Sequence, residues 1–307
     1  MTWALIACKG LPVPANMLAH HPRAVFFALF STFAFGAGFV LTQFALRWMS
    51  PRLGVALSIP TSMLLFWCLA LFLVDPAEAN VNAAALFACV GLVFPGAVAL
   101  ANFESNRLLG PTIAGAVGGL APVFAVLLAL LLLGERPRLP QLFGIAAIVA
   151  GVALMYRRQR QAFTAAGPWL LALPLGSAAV RGFVQPVIKL GLEGWHDPIA
   201  AVLICYTVSS VVLVVSALVS RQTRTQGFAP WGILWFAAVG LCNGCAVLSM
   251  YGALGSGPVT LVSPLVATYP LVTMLLSAVL LKPERAGAPL AAAVIATVGG
   301  VVLLLVT

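Results

Sequence analysis

The sequence predicts an all-α integral membrane protein whose ten transmembrane helices form two inverted five-helix repeats. Three observations predict it: the scarcity of charge, the number of long apolar runs, and a second half that repeats the first. Of 307 residues, 62% are hydrophobic and only 7% charged. A soluble domain carries about 25% charged residues. So few charges cannot cover a chain of this size in water, so lipid must solvate most of its surface. The formal net charge is +9, but the basic residues fall in short gaps between apolar runs, as in membrane proteins with a cytoplasmic Lys/Arg excess. No basic stripe with interleaved aromatics is present, so nucleic acid is not an expected partner.

A bilayer core about 30 Å thick takes roughly 20 apolar residues as a helix. Helix is required, because an open sheet edge cannot be satisfied in lipid. An N-terminal segment, 1–23, shows no secretory-signal pattern, and the sequence leaves the start open between Met1 and Met17. Span 1 (24–47) ends before Ser50-Pro51, and span 2 (53–74) before an acidic gap at Asp75 and Glu78. Span 3 (82–103) runs into Asn102, Glu104, Asn106 and Arg107, and Gly110-Pro111 opens span 4 (110–133). Glu135-Arg136 marks the exit of span 4, after which span 5 (138–156) closes the first repeat, 24–156. The longest polar gap, 157–167, separates it from the second repeat, 168–307. That repeat holds spans 6 (168–190), 7 (197–219), 8 (231–254), 9 (258–281) and 10 (287–306). Short connections make consecutive spans antiparallel neighbours.

The halves match in order. Gly38-Phe39-Val40 returns as Gly182-Phe183-Val184, Ser50-Pro51 as Asp197-Pro198, and Gly110-Pro111 as Gly257-Pro258. Pro122 returns as Pro270, Glu135-Arg136 as Glu284-Arg285, and Ala147 with Gly151 as Ala296 with Gly300. The separation grows from 144 to 149 residues through small insertions, which is an internal repeat. Five spans per repeat is an odd number, so the copies enter the bilayer from opposite faces. Inverted repeats are how many secondary transporters obtain two alternating states.

At these residues the chain resembles the drug/metabolite transporter superfamily, EamA-like branch. The opening motif stands as Phe35-Gly36-Ala37-Gly38-Phe39-Val40 and, more loosely, as Ala179-Val180-Arg181-Gly182-Phe183-Val184. The closing motif is PVFAVLLALLLLGER, from Pro122, and PLVTMLLSAVLLKPER, from Pro270. The resemblance implies a basket of helices around a central cavity, with the fifth and tenth helices peripheral. It also implies movement of small organic solutes, often amino acids or related metabolites, across a cell inner membrane, with export favoured over import. Small Ala-xxx-Gly pairs in spans 5 and 10 suit close helix packing and would serve a homodimer.

Polar side chains inside a membrane helix are expensive and so are functional candidates. Arg181 lies near the middle of span 6, where an arginine costs about 2.5–3.5 kcal/mol on insertion scales. Its family counterpart is usually small. Two readings stand: it binds a carboxylate or phosphate of the solute, or it is structural, satisfied by Glu104 or by backbone carbonyls. Gln185 and Lys189 follow at steps of four on the same helix face, Lys189 as a snorkelling charge. Pro186 leaves the Gly182 carbonyl without its helical donor. Gln43, Asn102, Asn243, Tyr251 and Tyr269 complete the substrate-binding candidates. Gly118, Gly119, Pro122 and Pro270, with Pro186, are candidate bend points where each half rocks. Glu135 and Glu284 read as local ion pairs at solvated turns. Trp67, Trp231 and Trp235 read as packing or interface anchors.

None of the seven acidic residues falls at mid-membrane, which disfavours a carboxylate-driven cation exporter and favours a zwitterionic or anionic solute. No P-loop is present, and His20, His21 and His196 lie outside the spans, so neither an enzyme nor a cofactor or metal is expected. Cys242 and Cys245 have metal spacing but sit within an apolar span, where packing is the expected role. A non-transporting receptor or assembly subunit is the remaining alternative. The side bearing both termini carries five basic residues and the other side ten, which places the termini outside the cytoplasm.

Overall fold

The computed structural model describes residues 21–135, 139, 142–143, 146, 169–219 and 229–280. Span 10, Glu284, the inter-repeat segment and all of span 5 but residues 139, 142–143 and 146 lie outside the described residues. Among those described, every regular element is helical: α1 Pro22–Ala45, α2 Pro51–Leu73, α3 Val81–Gly91, α4 Gly96–Gly118, α5 Ala121–Leu132, α6 Trp169–Gly194, α7 Pro198–Val219, α8 Pro230–Ser256, α9 Val259–Val266 and α10 Tyr269–Leu280. They supply eight helices long and apolar enough to cross a membrane, corresponding to spans 1–4 and 6–9. Phe72, Leu131 and Val279 are more than three-quarters exposed, as befits a belt whose solvent is lipid.

Helix starts follow local chemistry. Proline occupies the first turn of α1, α2, α5 and α8, where its missing N–H costs nothing. Asn80 Oδ1 accepts from the N–H groups of Asn82 and Ala83 to open α3. Asp197 Oδ1 does the same for Ile199 and Ala200 at the start of α7. Between spans 3 and 4 the backbone turns at Gly110, whose φ of 79° is cheap only without a side chain.

Contacts fix how the elements run. His21, preceding α1, has Nδ1 3.2 Å from the carbonyl of Ser256, the last residue of α8. At that same end α6 finishes, its Lys189 Nζ donating to Leu254 O at 3.1 Å and Gly257 O at 2.8 Å. The first helix of one repeat therefore begins at the end of the molecule where the first helix of the other stops.

Small residues let these helices approach. A Cβ on Gly240 of α8 would lie 2.4 Å from the Ser58 carbonyl of α2, and one on Gly182 of α6 would lie 2.4 Å from the Ala121 carbonyl of α5. Ser62 Oγ donates to Gly240 O across the first of these contacts at 2.7 Å. Ser31 Oγ donates from α1 to Ala246 O of α8 at 2.8 Å. Close packing with interhelical hydrogen bonds is what holds helices together where the lipid is as apolar as they are.

Spans 4 and 9 are both broken. α4 stops at Gly118 and α5 starts at Ala121; α9 stops at Val266 and α10 starts at Tyr269. Pro122 and Pro270 sit in the first turn after each break. The breaks also meet: a Cβ on Gly119 would lie 3.6 Å from both Ala267 O and Pro270 Cγ.

Arg136, the local partner expected for Glu135, lies outside the described residues, and Glu135 also reaches across the molecule. Gly134, at φ 65°, turns the chain back after α5. The Glu135 carboxylate then accepts from Val259 N at 3.0 Å and Thr260 N at 2.9 Å. It caps the positive end of α9, so a first-repeat residue holds a second-repeat helix.

Two outcomes follow for stability. Gly240→Ala and Gly182→Ala should each lower the thermal midpoint of the detergent-purified protein, by about 1–3 kcal/mol of overpacking. Gly176→Ala, inside α6 where a Cβ meets nothing within 4 Å, should hold or raise it, since alanine is the better helix former. Glu135→Ala should cost about 0.5–2 kcal/mol, the range for a lost helix cap; equal midpoints for Glu135→Ala and the parent would contradict the cap.

Candidate functional site

Inside the bundle α1, α2, α4, α6, α7 and α8 surround a cavity of about 600 Å³ of unfilled space, part of it open to solvent. Its wall is mainly apolar and aromatic, including Phe35, Phe39, Phe94, Phe103 and Ile59, with polar groups converging between them.

Among the described residues Arg181 is the charged one of that wall, and it is only 3% exposed. Its guanidinium carbon lies 5.7 Å from the Phe35 ring centre and 5.4 Å from that of Tyr269. Tyr269 in turn stacks on Phe39, centroids 5.2 Å apart and planes 18° from parallel. A cation over an aromatic face gains about 0.5–2 kcal/mol, whereas burying an ion costs several. The rings therefore hold the charge without neutralising it. Arg181 Nε and Nη2 are buried with no hydrogen-bond partner. Glu104 is not the counter-ion: it pairs with Arg107, three residues along α4. Nor do backbone carbonyls satisfy those two nitrogens.

Gly118 explains how the cluster fits. A Cβ there would fall 2.1 Å from Tyr269 Oη and 3.4 Å from Arg181 Nη2. The sequence suggested a bend at Gly118; the structure shows a space reserved for the tyrosine hydroxyl beside the arginine. The opening-motif glycines act similarly. A Cβ on Gly38 would lie 2.3 Å from Asn243 Oδ1, and one on Gly36 would lie 2.5 Å from Val272 Cβ.

Of the other candidates, Asn102 and Asn243 line the cavity with Arg181, Asn102 Oδ1 lying 2.7 Å from Ser177 Oγ. Tyr269 reaches the site through its ring beneath the guanidinium. Gln185 is 2% exposed with Oε1 unpartnered, and Gln43 Oε1 is likewise buried and unpartnered; neither lines the cavity. Tyr251 is also off the wall, its hydroxyl 3.9 Å from Cys205 Sγ. Pro186 lies within α6. Lys189 of the same polar stripe is spent on the α8 carbonyls. Cys242 Sγ donates to Ala34 O at 3.2 Å, tying α8 to α1.

Several wall residues escaped the sequence reading. Asn106, noted there only as part of a polar cluster, donates to Phe39 O at 2.8 Å and leaves a buried, unpartnered Oδ1. Ser58 and Ser62 share the wall with Tyr206, which meets Phe66 edge-on at 4.9 Å. The hydroxyls at Ser58 and Ser62, one helical turn apart in an otherwise apolar span, were the available signal.

The profile of the EamA-like transporter family matches residues 22–157 and again residues 168–306. No curated protein matches. A solved structure described as "Crystal structure of protein" is 18% identical, with a TM-score of 0.70 over 93% of this chain and 96% of its own. At that identity the likeness is one of fold.

The reserved space makes a paired prediction. Gly118→Ala alone should destabilise the protein by about 1–3 kcal/mol. Adding Tyr269→Phe should restore much of that loss, because the tyrosine Cζ lies at an ordinary 3.5 Å from the new Cβ. Additive losses in the double variant, measured by thermal denaturation, would show that the two positions do not interact.

Proposed function

The chain is a multi-pass membrane protein that belongs to the EamA-like transporter family, and from that premise we propose that it carries small organic solutes bearing an acidic group by alternating access. The observation that carries the reading is Arg181: a buried guanidinium on a cavity wall, with Nε and Nη2 unpartnered. A carboxylate entering the cavity supplies the acceptors those donors lack, and a bidentate pair fixes its orientation. Asn102, Asn106 and Asn243 offer donors and acceptors to the rest of the solute, and the aromatic wall takes its apolar part. The cargo is zwitterionic or anionic, amino-acid-like or a related metabolite. A cation would want a carboxylate where the arginine stands.

The opposed directions of α1 and α6 support two inverted repeats, with spans 5 and 10 bringing the helices to ten. Rocking of one repeat against the other exposes the cavity to each side in turn. The facing breaks at Gly119-Leu120 and Ala267-Thr268, each followed by proline, are the points where the halves bend. Arg47, Arg52 and Arg107 lie toward one end and Lys189 toward the other. Positive-inside then puts the arginine-rich end in the cytoplasm of a cell with this protein in its inner membrane. Export is the preferred direction. The small-residue faces of spans 5 and 10 are the proposed contact for a homodimer.

Arg181→Ala should lower flux of the transported solute in proteoliposomes by at least about tenfold, since a charge-assisted hydrogen bond is worth about 1.5–3 kcal/mol, with expression and detergent stability retained. Arg181→Lys should recover part of it, keeping the charge but losing the planar fork. Unchanged flux of every acidic and zwitterionic solute in Arg181→Ala would retire the reading.

A further inference from the structure

Resting on the reading that Arg181 meets the cargo, we propose that the cargo carries a net charge of minus one and crosses without a proton, so that transport moves charge. The sequence contains seven acidic residues, and the six described are all placed away from the cavity wall. Asp75 and Glu78 are exposed in the connection after α2, where Asp75 Oδ1 accepts from Ala77 N. Glu104 pairs with Arg107. Glu135 caps α9 and Asp197 caps α7. Glu193 is exposed in the last turn of α6. The seventh, Glu284, follows span 9 and lies outside the described residues. Among the described residues the cavity thus offers one fixed positive charge and no carboxylate.

Net charge is then the selecting quantity. An arginine side chain stays protonated in proteins, and a low-dielectric site penalises uncompensated charge. A monoanion on Arg181 makes the occupied cavity neutral. A zwitterion leaves it at plus one, and a cation raises it to plus two. The amide and hydroxyl groups of Asn102, Asn106, Ser58 and Ser62 hydrogen-bond a neutral polar substituent, such as an oxo or hydroxy group, without adding charge. The rings of Phe35, Phe39 and Phe94 accommodate an apolar tail. The chemical class is a monocarboxylate with a neutral polar group and an apolar body.

Coupling follows from the same inventory. A proton carried with the solute needs a group at the site that exchanges it near neutral pH, and among the described residues the wall carries, besides the arginine, only the Tyr206 phenol, which keeps its proton there. A full cycle that moves a monoanion alone transfers one negative charge. A membrane that is negative inside then drives the solute outward, by about 50-fold in concentration ratio per 100 mV. Export therefore needs no ion gradient.

A matched series tests the rule, because one carbon skeleton can be given three charges. Purified full-length protein is challenged with 2-oxo-3-methylbutanoate, valine and 2-methylpropylamine, read by thermal shift. The oxo acid should raise the midpoint, valine should need at least about tenfold more ligand for the same shift, and the amine should give none. Arg181→Ala should erase the response to the oxo acid. In proteoliposomes with a valinomycin-set potassium potential, loss of preloaded radiolabelled oxo acid should speed up when the lumen is negative and slow down when it is positive. A pH gradient at fixed potential should leave the flux unchanged. Valine binding as tightly as the oxo acid, no shift with any of the three probes, or flux that follows the pH gradient and ignores the potential would each overturn the proposal. If valine alone stabilises the protein, and does so only with Arg181 in place, the charge rule falls while the arginine site stands. If flux survives Arg181→Ala, the underlying reading falls as well.

Discussion

A guanidinium buried among aromatic rings, without a counter-ion among the described residues, is the constraint around which this structure is organised. Lipid surrounds the bundle, so water outside cannot reach Arg181, and only the cavity and its wall can. Phe35 of the wall and Tyr269 beside it supply two π-faces, and the described residues of the wall supply no carboxylate. That arrangement holds the charge in place while leaving its donors open. Tyr269 is pinned between Phe39 and the guanidinium, and its hydroxyl fits only because residue 118 has no side chain. Position, charge and vacancy at the site thus come from four elements, α1, α4, α6 and α10, acting together.

The second constraint is closeness. Helices in lipid gain nothing from hiding apolar surface from one another, so contact distance must supply the cohesion. Gly182 on Ala121, Gly240 on Ser58 and Gly36 on Val272 are all sites where a methyl group would collide with a neighbouring helix. Polar groups at the helix ends then tie one repeat to the other. Glu135 reaches from the first repeat to the start of α9, and His21 approaches the end of α8. Both contacts involve the turn from α8 to α9, whose other anchor is Lys189. That turn is therefore fastened from three directions at the end of the molecule where α1 begins and α6 finishes.

How much of the site was legible depended on the kind of residue. Arg181 announced itself, because a charge in the middle of an apolar span has no cheap explanation. Asn102 and Asn243 were visible for the same reason in weaker form. Tyr269 was named as a weak candidate, but its place beneath the guanidinium was not readable, since it depends on a helix 88 residues away in sequence. Gly118 was noticed as a bend point, and α4 does stop there; that it also makes room for the Tyr269 hydroxyl was not readable. The cap that Glu135 makes on α9 was not readable, because its partners, the N–H groups of Val259 and Thr260, lie more than 120 positions on. Ser58, Ser62 and Tyr206 went unselected, since hydroxyls in membrane helices usually bond their own backbone and carry little signal.

The amino-acid sequence by itself determined the solvent, the element type, the position of most spans and the duplication, because each depends on local composition or on self-similarity. Hydropathy over some twenty residues decides whether a segment enters lipid, whatever lies elsewhere in the chain. Tertiary structure alone decided which polar residues share one cavity and which face a neighbouring backbone. The physical reason is that a helix in lipid is apolar on every side, so the amphipathic stripe that marks the buried face of a soluble helix is missing. Which face turns inward is settled by where another helix can come close, and that is a property of pairs of segments far apart in the chain.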